Sequence, residues 1–196
     1  MKYILSIVTL ISFTAISFGQ LPTVNLCLGQ DATVCQGQPV VVTNCGGAGG
    51  GAGAAGITLN TPTNVPLGDD NFSGIINLGF TFNFYNSNYT QCVIGSNGIV
   101  SFNLSQANGY CPWALGGVGP LPSVAFTSAR NGASPIYADM NPGVGGAVQY
   151  QTIGTAPNRM FVVLYKEVPN YSCGGCNYHS LIFYETTNVI EYHIGN

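Results

Sequence analysis

The chain has 196 residues, 46% of them hydrophobic and only 6% charged, with a formal net charge of −3 at neutral pH. That length holds one domain with a substantial core, or one domain and a short leading piece. Its four basic residues, Lys2, Arg130, Arg159 and Lys166, are too few and too scattered to displace counterions from a polyanion, which excludes nucleic acid as a partner.

Lys2 is followed by an apolar run over residues 3–16 and then by Ser17-Phe18-Gly19, with small residues three and one before the expected cut at Gln20. This is the pattern of a secretory signal peptide, residues 1–19. About 14 apolar-biased residues fall short of the roughly 20 that a membrane-spanning helix needs, and no later run is longer, so no membrane span is expected. No cysteine follows the cut, which argues against a lipid-anchored form. With Lys2 removed, three basic side chains stand against seven acidic ones, and solubility rests on Asn, Gln, Ser and Thr. Such a surface suits an extracellular module.

Seven cysteines (27, 35, 45, 92, 111, 173 and 176) behind an export signal imply disulfides, and the odd count leaves one thiol over. The expected pairs are Cys92 with Cys111, tying a central hairpin to the next loop, and Cys173 with Cys176 across a Gly-Gly tip. Cys27, Cys35 and Cys45 then supply one local bridge and the spare thiol. Zinc at Cys173-Gly-Gly-Cys176 is the rival reading, but only His179 is near and no second ligand pair occurs at the required spacing.

Residues 20–45 form a short Cys-containing β segment, with apolar-alternating pieces at 32–35 and 39–43. Residues 46–56, GGAGGGAGAAG, carry no side chain able to bury surface and read as a flexible linker. They are no phosphate loop, because no Lys-Ser/Thr leads into a helix. The main domain spans 57–196. It starts with a short strand near 57–59 and a connection through Gly68-Asp69-Asp70. Leu78, Phe80 and Phe82 then alternate with Gly79, Thr81 and Asn83, the period of a half-buried strand over 78–85. After a polar turn a strand over 89–95 leads to Asn97-Gly98, the dipeptide favoured by tight type I′ hairpin turns, and a strand over 99–104 follows with Val100, Phe102 and Leu104 inward. Residues 103–132 are loop-rich, with one helical turn expected at 125–130. Further strands are expected at 135–140, 147–153, 159–168 (apolar on both faces, as in a central strand), 180–185 and 189–194, the last two joined around Thr187-Asn188. Many short strands with turn signals and no amphipathic helix predict an all-β fold, an antiparallel β-sandwich with long Gly/Pro-rich loops. The final alternation runs almost to Asn196, which predicts an edge strand left open and a domain truncated at that end, the N-terminal part of a longer polypeptide.

Catalytic constellations fail on local grounds. Gly95-Ser96-Asn97-Gly98 lacks the glycine two residues before the serine that a nucleophile elbow needs, and precedes a hairpin instead of a helix. Cys176 and His179 lie close in sequence, but the cysteine faces another cysteine in an oxidising compartment. Strand parity puts His179 with Leu181 and His193 with Ile182, Tyr184 and Glu191, so the two histidines point to opposite faces and share no metal; each is expected at a surface or strand end. No cofactor and no intrinsic catalysis are expected. Asp69, Asp70, Asp139 and Asn141 are oxygen donors on loops and suit Ca²⁺. The same residues also build turns unaided, which is the simpler reading. The aromatics expected at the surface include Tyr85 and Tyr89, with Tyr110, Trp113, Tyr171 and Tyr178 the candidates for ligand contact.

The stretches LGFTFNFYNSNYTQCVIGSNGIVSFN, GPLPS, IYADMNP, GAVQYQTIG, NRMFVVLYKEVP and LIFYETTNVIEYHI resemble the N-terminal region of large surface proteins of gliding bacteria exported by the type IX pathway. The same run is similar to the extracellular nidogen-type β domain, in which a hairpin ending in Ser-Asn-Gly precedes an aromatic-rich closing hairpin. The resemblance covers residues 57–196. It implies a secreted or cell-surface module that mediates adhesion or protein or glycan contact and continues into downstream modules. The alternative is a non-catalytic sugar-binding accessory domain of a secreted hydrolase. The chain shows no sorting domain of the type IX kind, in which it departs from those large proteins.

Overall fold

A computed structural model describes residues 26–27, 43–44, 59–114, 127–172 and 174–195. The signal peptide, the Gly-rich linker, Cys35, Cys45 and Cys173 lie outside the described residues. In the leading segment, β1 (Leu26–Cys27) pairs antiparallel with β2 (Thr43–Asn44). The expected piece at 32–35 lies outside the described residues.

The remainder is an antiparallel β-sandwich, and no α-helix occurs among the described residues. One sheet contains β3 (Thr63–Asn64), β8 (Ala147–Ile153), β9 (Met160–Pro169), β10 (Cys176–Tyr184) and β11 (Ile190–Gly195), in the order β11-β10-β9-β8-β3. The other contains β4 (Ile76–Phe84), β5 (Ser87–Gly95), β6 (Ile99–Ser101) and β7 (Gly132–Ala133), in that order. Period-two alternation builds the interior between them. Leu78, Phe80, Phe82, Ile94, Val100 and Phe102 meet Phe161, Val163, Tyr165, Leu181 and Phe183 in one buried cluster. The ring of Phe82 lies 5.8 Å from Phe102 and meets Phe183 edge-on at 5.3 Å, which welds the sheets through aromatic contact. Each such side chain contributes about 1.5–3 kcal/mol by leaving water.

Edge strands invite pairing by other chains unless they are covered. The outer edge of β4 is covered by side chains of the opposite sheet. Thr152 donates its hydroxyl to the Leu78 carbonyl at 2.8 Å, Arg159 donates to the Gly79 carbonyl, and the Asn83 N–H donates to Asn188 Oδ1 at 2.7 Å. Arg159 is itself held by the two carboxylate oxygens of Glu185.

Several expectations are corrected. The β4–β5 turn is only Tyr85-Asn86, both at positive φ (47° and 62°), so β5 begins at Ser87 and the long polar turn does not exist. Asn97-Gly98 is not a type I′ turn: Gly95 pairs with Ile99, giving a three-residue loop in which only Gly98 is left-handed (φ 84°). Leu104 is not an inward strand residue. It starts a 3-10 helix, Leu104–Gln106, whose entry is fixed by the Asn103 side chain accepting from the Ser105 N–H, and it packs on a second, smaller cluster. Residues 135–139 form no strand, although Ile136 and Ala138 are buried; only Met140 bridges, to Asn170. The expected helical turn appears as a 3-10 turn, Thr127–Ala129. Of the strand expected near 57–59, residues 57–58 lie outside the described residues and Leu59 is in no strand; among the described residues the sandwich begins at β3.

The expected Cys92–Cys111 bridge is not formed, and both are buried free thiols. Cys92 shares a face of β5 with Ile94 in the main core, whereas Cys111 packs with Phe72, Val93 and Ile99 on the other side of the sheet. Successive residues of a strand face opposite ways, so the two sulfurs are separated by the sheet itself. Burial raises the thiol pKa of both, that of Cys111 to about 11. Cys176 is an exposed free thiol, and its expected partner Cys173 lies outside the described residues. His179 is not at the surface either. It is fully buried on the core face of β10, stacked on Tyr165 at 4.4 Å. His193 is on the opposite face, 2.9 Å from Glu191, so the parity inference holds.

Candidate functional site

The loop between β5 and β6 is held from within. Asn97 is fully buried, donates its side-chain amide to Asp70 Oδ1 and to the Cys111 carbonyl, each at 2.8 Å, and accepts from the Met140 N–H at 2.9 Å. One side chain therefore joins three segments remote in sequence. Buried, its amide has protein partners in place of water, so it adds positioning without the cost of an orphaned polar group. Beside it, the Asn71 N–H donates to Ser96 Oγ at 3.1 Å and the Ser96 N–H to the Asn71 carbonyl at 2.9 Å. Gly98 is required by the same closeness: a Cβ there would lie 2.0 Å from the Ile136 carbonyl oxygen.

This scaffold gathers carboxylates. Asp69 and Asp70 sit on a turn in which Asp70 adopts φ 49°, and Asp139 is fixed by the bridge that follows it and by the Tyr171 N–H donating to its carbonyl at 2.8 Å. Asp69, Asp70 and Asp139 each place one carboxylate oxygen within 4.8 Å of the others. Desolvation first, then the neighbouring carboxylates, raise the pKa of Asp69 and of Asp139. The fourth candidate, Asn141, has its oxygen accepting from the Gly143 N–H at 2.9 Å, in a turn that packs on Gly68 and Asp69.

Two of the four candidate contact residues are joined through their backbones to the segments that carry the carboxylates. Tyr110 is 64% exposed and bridges to Asn71; desolvation and then the charge of Asp70, with those of Asp139 and Asp69 behind it, raise its hydroxyl pKa. Tyr171 is 50% exposed and hangs from the Asp139 carbonyl. Trp113 is exposed two residues beyond Cys111. Tyr178 is instead half-buried in β10, where burial first and Glu167 second raise its pKa. Tyr89, expected at the surface, stacks on Phe102 at 4.6 Å.

Chemically, the group is a set of hard oxygen donors with aromatic faces beside it. The donors can hold a cation of the Ca²⁺ type or accept from hydroxyl and ammonium groups, and the rings offer apolar planes. Sequence reasoning named the carboxylates one by one but missed Asn97 and Ser96, which it read as mere turn residues. Their only sequence signal was the Ser-Asn-Gly tripeptide itself.

The chain is a β-sandwich of two antiparallel sheets, with the carboxylate-bearing segments gathered around the loop between β5 and β6. The nidogen-related family model matches residues 54–196, and the chain belongs to that family. Searches of curated proteins and of solved structures gave no match. Among the described residues, no helix is long and apolar enough to cross a membrane.

Proposed function

We propose that the chain is a secreted or cell-surface module without catalysis of its own, which mediates adhesion by contacting protein or glycan as part of a larger surface protein. The observation that carries this reading is the gathering of three carboxylates, one oxygen of each within 4.8 Å of the others, with the exposed Tyr110 beside them and the exposed Tyr171 tied through its backbone N–H to the Asp139 carbonyl. Family membership supports an extracellular setting, and the signal-peptide pattern of residues 1–19 supports export. The gliding-bacterial, type IX context and the downstream modules rest on sequence resemblance. In this reading Asp69, Asp70 and Asp139 bind Ca²⁺, because hard carboxylate donors brought this close repel one another until a cation neutralises them. The exposed rings favour a second reading, a sugar-binding accessory module beside a hydrolase.

The test is a thermal melt with and without millimolar CaCl2, on the wild type and on Asp139→Asn, joined to a glycan array and a binding screen on a panel of extracellular proteins. A Ca²⁺-dependent rise in melting temperature that Asp139→Asn removes, with binding that needs Tyr110 and Tyr171, is the expected result. No rise, with binding indifferent to Asp139, Tyr110 and Tyr171, refutes the site. A glycan hit with no protein hit selects the accessory reading.

A further inference from the structure

Four strand edges bound the two sheets, β3 and β11 in one and β4 and β7 in the other. Three of them are guarded against pairing by other chains. β3 and β7 are only two residues long, and the outer edge of β4 is covered by Thr152, Arg159 and Asn188. β11 has six residues, Ile190–Gly195, without proline or lysine, and among the described residues nothing bonds to the backbone on its outer side. The N–H and C=O groups on that side are a ready template for one more strand.

The same edge carries apolar surface. Ile190, Tyr192 and Ile194 stand opposite Phe183, Leu181 and His179 of β10, on the core side of the sheet. The four-stranded sheet does not shield them fully: Tyr192 is 45% exposed and Ile194 40%. Tyr192 lines an open groove together with Tyr85 of the β4–β5 tip, whose ring is 88% exposed. Apolar side chains left in water beside an open edge are what an added strand would cover.

The sequence of β11 says which strand that is. A two-fold axis perpendicular to the sheet lays a second copy of β11 antiparallel beside the first and keeps both core faces on one side, so opposed residues have numbers of like parity. With the axis at Tyr192, Ile190 meets Ile194 of the second copy, Tyr192 meets its own counterpart, and Glu191 meets His193 of the second copy on the outer face. A shift of two residues either way sets Glu191 against Glu191 or His193 against His193. Glu191 already holds His193 of its own strand at 2.9 Å. The pairing therefore needs no free charge: it joins two such pairs into a ring of alternating carboxylates and imidazoles, each carboxylate having lone pairs for both.

We infer that the chain self-associates through β11, two copies pairing edge to edge about Tyr192 so that their five-stranded sheets become one continuous sheet. No residue of β11 belongs to the Asp69, Asp70 and Asp139 cluster, so a failure here leaves the proposed function standing.

The experiment is sedimentation velocity of the purified chain from about 1 to about 500 µM, in EDTA so that no cation bridges the carboxylate cluster. The wild type should pass from monomer to dimer as concentration rises. Glu191→Lys sets lysine against histidine, and His193→Glu sets glutamate against glutamate. Each variant alone should dimerise at least about tenfold more weakly. Both positions are partly exposed, so the fold should survive, which circular dichroism checks. In an equimolar mixture of the two variants each new lysine meets a new glutamate and each remaining His193 meets a Glu191, so the mixture should dimerise about as the wild type does. A wild type that stays monomeric throughout overturns the inference and leaves the edge to a strand of different origin. Dimers that persist in both single variants, or a mixture no stronger than either variant alone, would place the contact elsewhere and overturn it equally.

Discussion

His179 makes the stability of this domain depend on pH in one direction. The imidazole is wholly buried, neither ring nitrogen has a hydrogen-bond partner, and desolvation lowers its pKa from 6.5 to about 3. In the unfolded chain the same imidazole titrates near 6.5. Between those values the unfolded state takes up a proton that the folded state refuses, so stability is full above about pH 7 and is lost as pH falls. One pKa unit corresponds to about 1.4 kcal/mol, so the loss should be about 2 kcal/mol at pH 5 and about 4 kcal/mol at pH 3. Against a typical domain stability of about 5–15 kcal/mol, that brings the protein close to acid unfolding.

The carboxylates with shifted pKa act at lower pH, and two of them with opposite sign. Glu185, its pKa lowered first by the hydrogen bond from Arg159, loses stability only as pH falls through the carboxylate range, while the raised Asp69 and Asp139 gain stability there. His179→Phe keeps a ring against Tyr165 and removes the two unpartnered nitrogens. Urea unfolding of both proteins at pH 8, 6.5, 5 and 4, followed by circular dichroism, isolates the histidine as the difference between the two pH profiles. The difference should open below pH 6.5 and reach about 2 kcal/mol at pH 5. Parallel profiles would show that His179 is solvated or partnered in solution, and the argument from its burial would fail.

Two further substitutions test the scaffold of the carboxylate site. Asn97→Ala strands the Met140 N–H and the Cys111 carbonyl in the interior and should cost about 3 kcal/mol or more in urea unfolding; a loss under about 1 kcal/mol would mean that water replaces the amide. Gly98→Ala drives a Cβ toward the Ile136 carbonyl, 2.0 Å away, at a left-handed residue, and should cost at least about 3 kcal/mol by the same assay; near-neutrality would refute the close approach.

What the sequence made legible was what repeats. Leu78, Phe80 and Phe82 and the closing hairpin announced their buried faces by period-two alternation, and the run that became β9 announced a central strand by being apolar on both faces, so the sandwich follows from having two such sets to cover. The parity of the last hairpin came out right because Tyr184 closes on Val189, leaving a four-residue loop that preserves parity as a two-residue turn would. What repeats nowhere was not legible. The Asn-Gly dipeptide carries a local preference for a hairpin turn, but Asp70, Cys111 and Met140 draw Asn97 inward, and only the folded chain brings those partners within reach. The Cys92–Cys111 expectation erred by judging loop length alone, when the deciding variable was the face of β5 on which each sulfur lies. Asp69 and Asp139 were each visible as loop donors, yet seventy residues separate them, and their meeting is a property of the topology. The buried amide of Asn97 is what converts that topology into a site: it bonds directly to one of the three carboxylates and to the backbone immediately after another, so a fully buried polar side chain sets the position of the clustered charge.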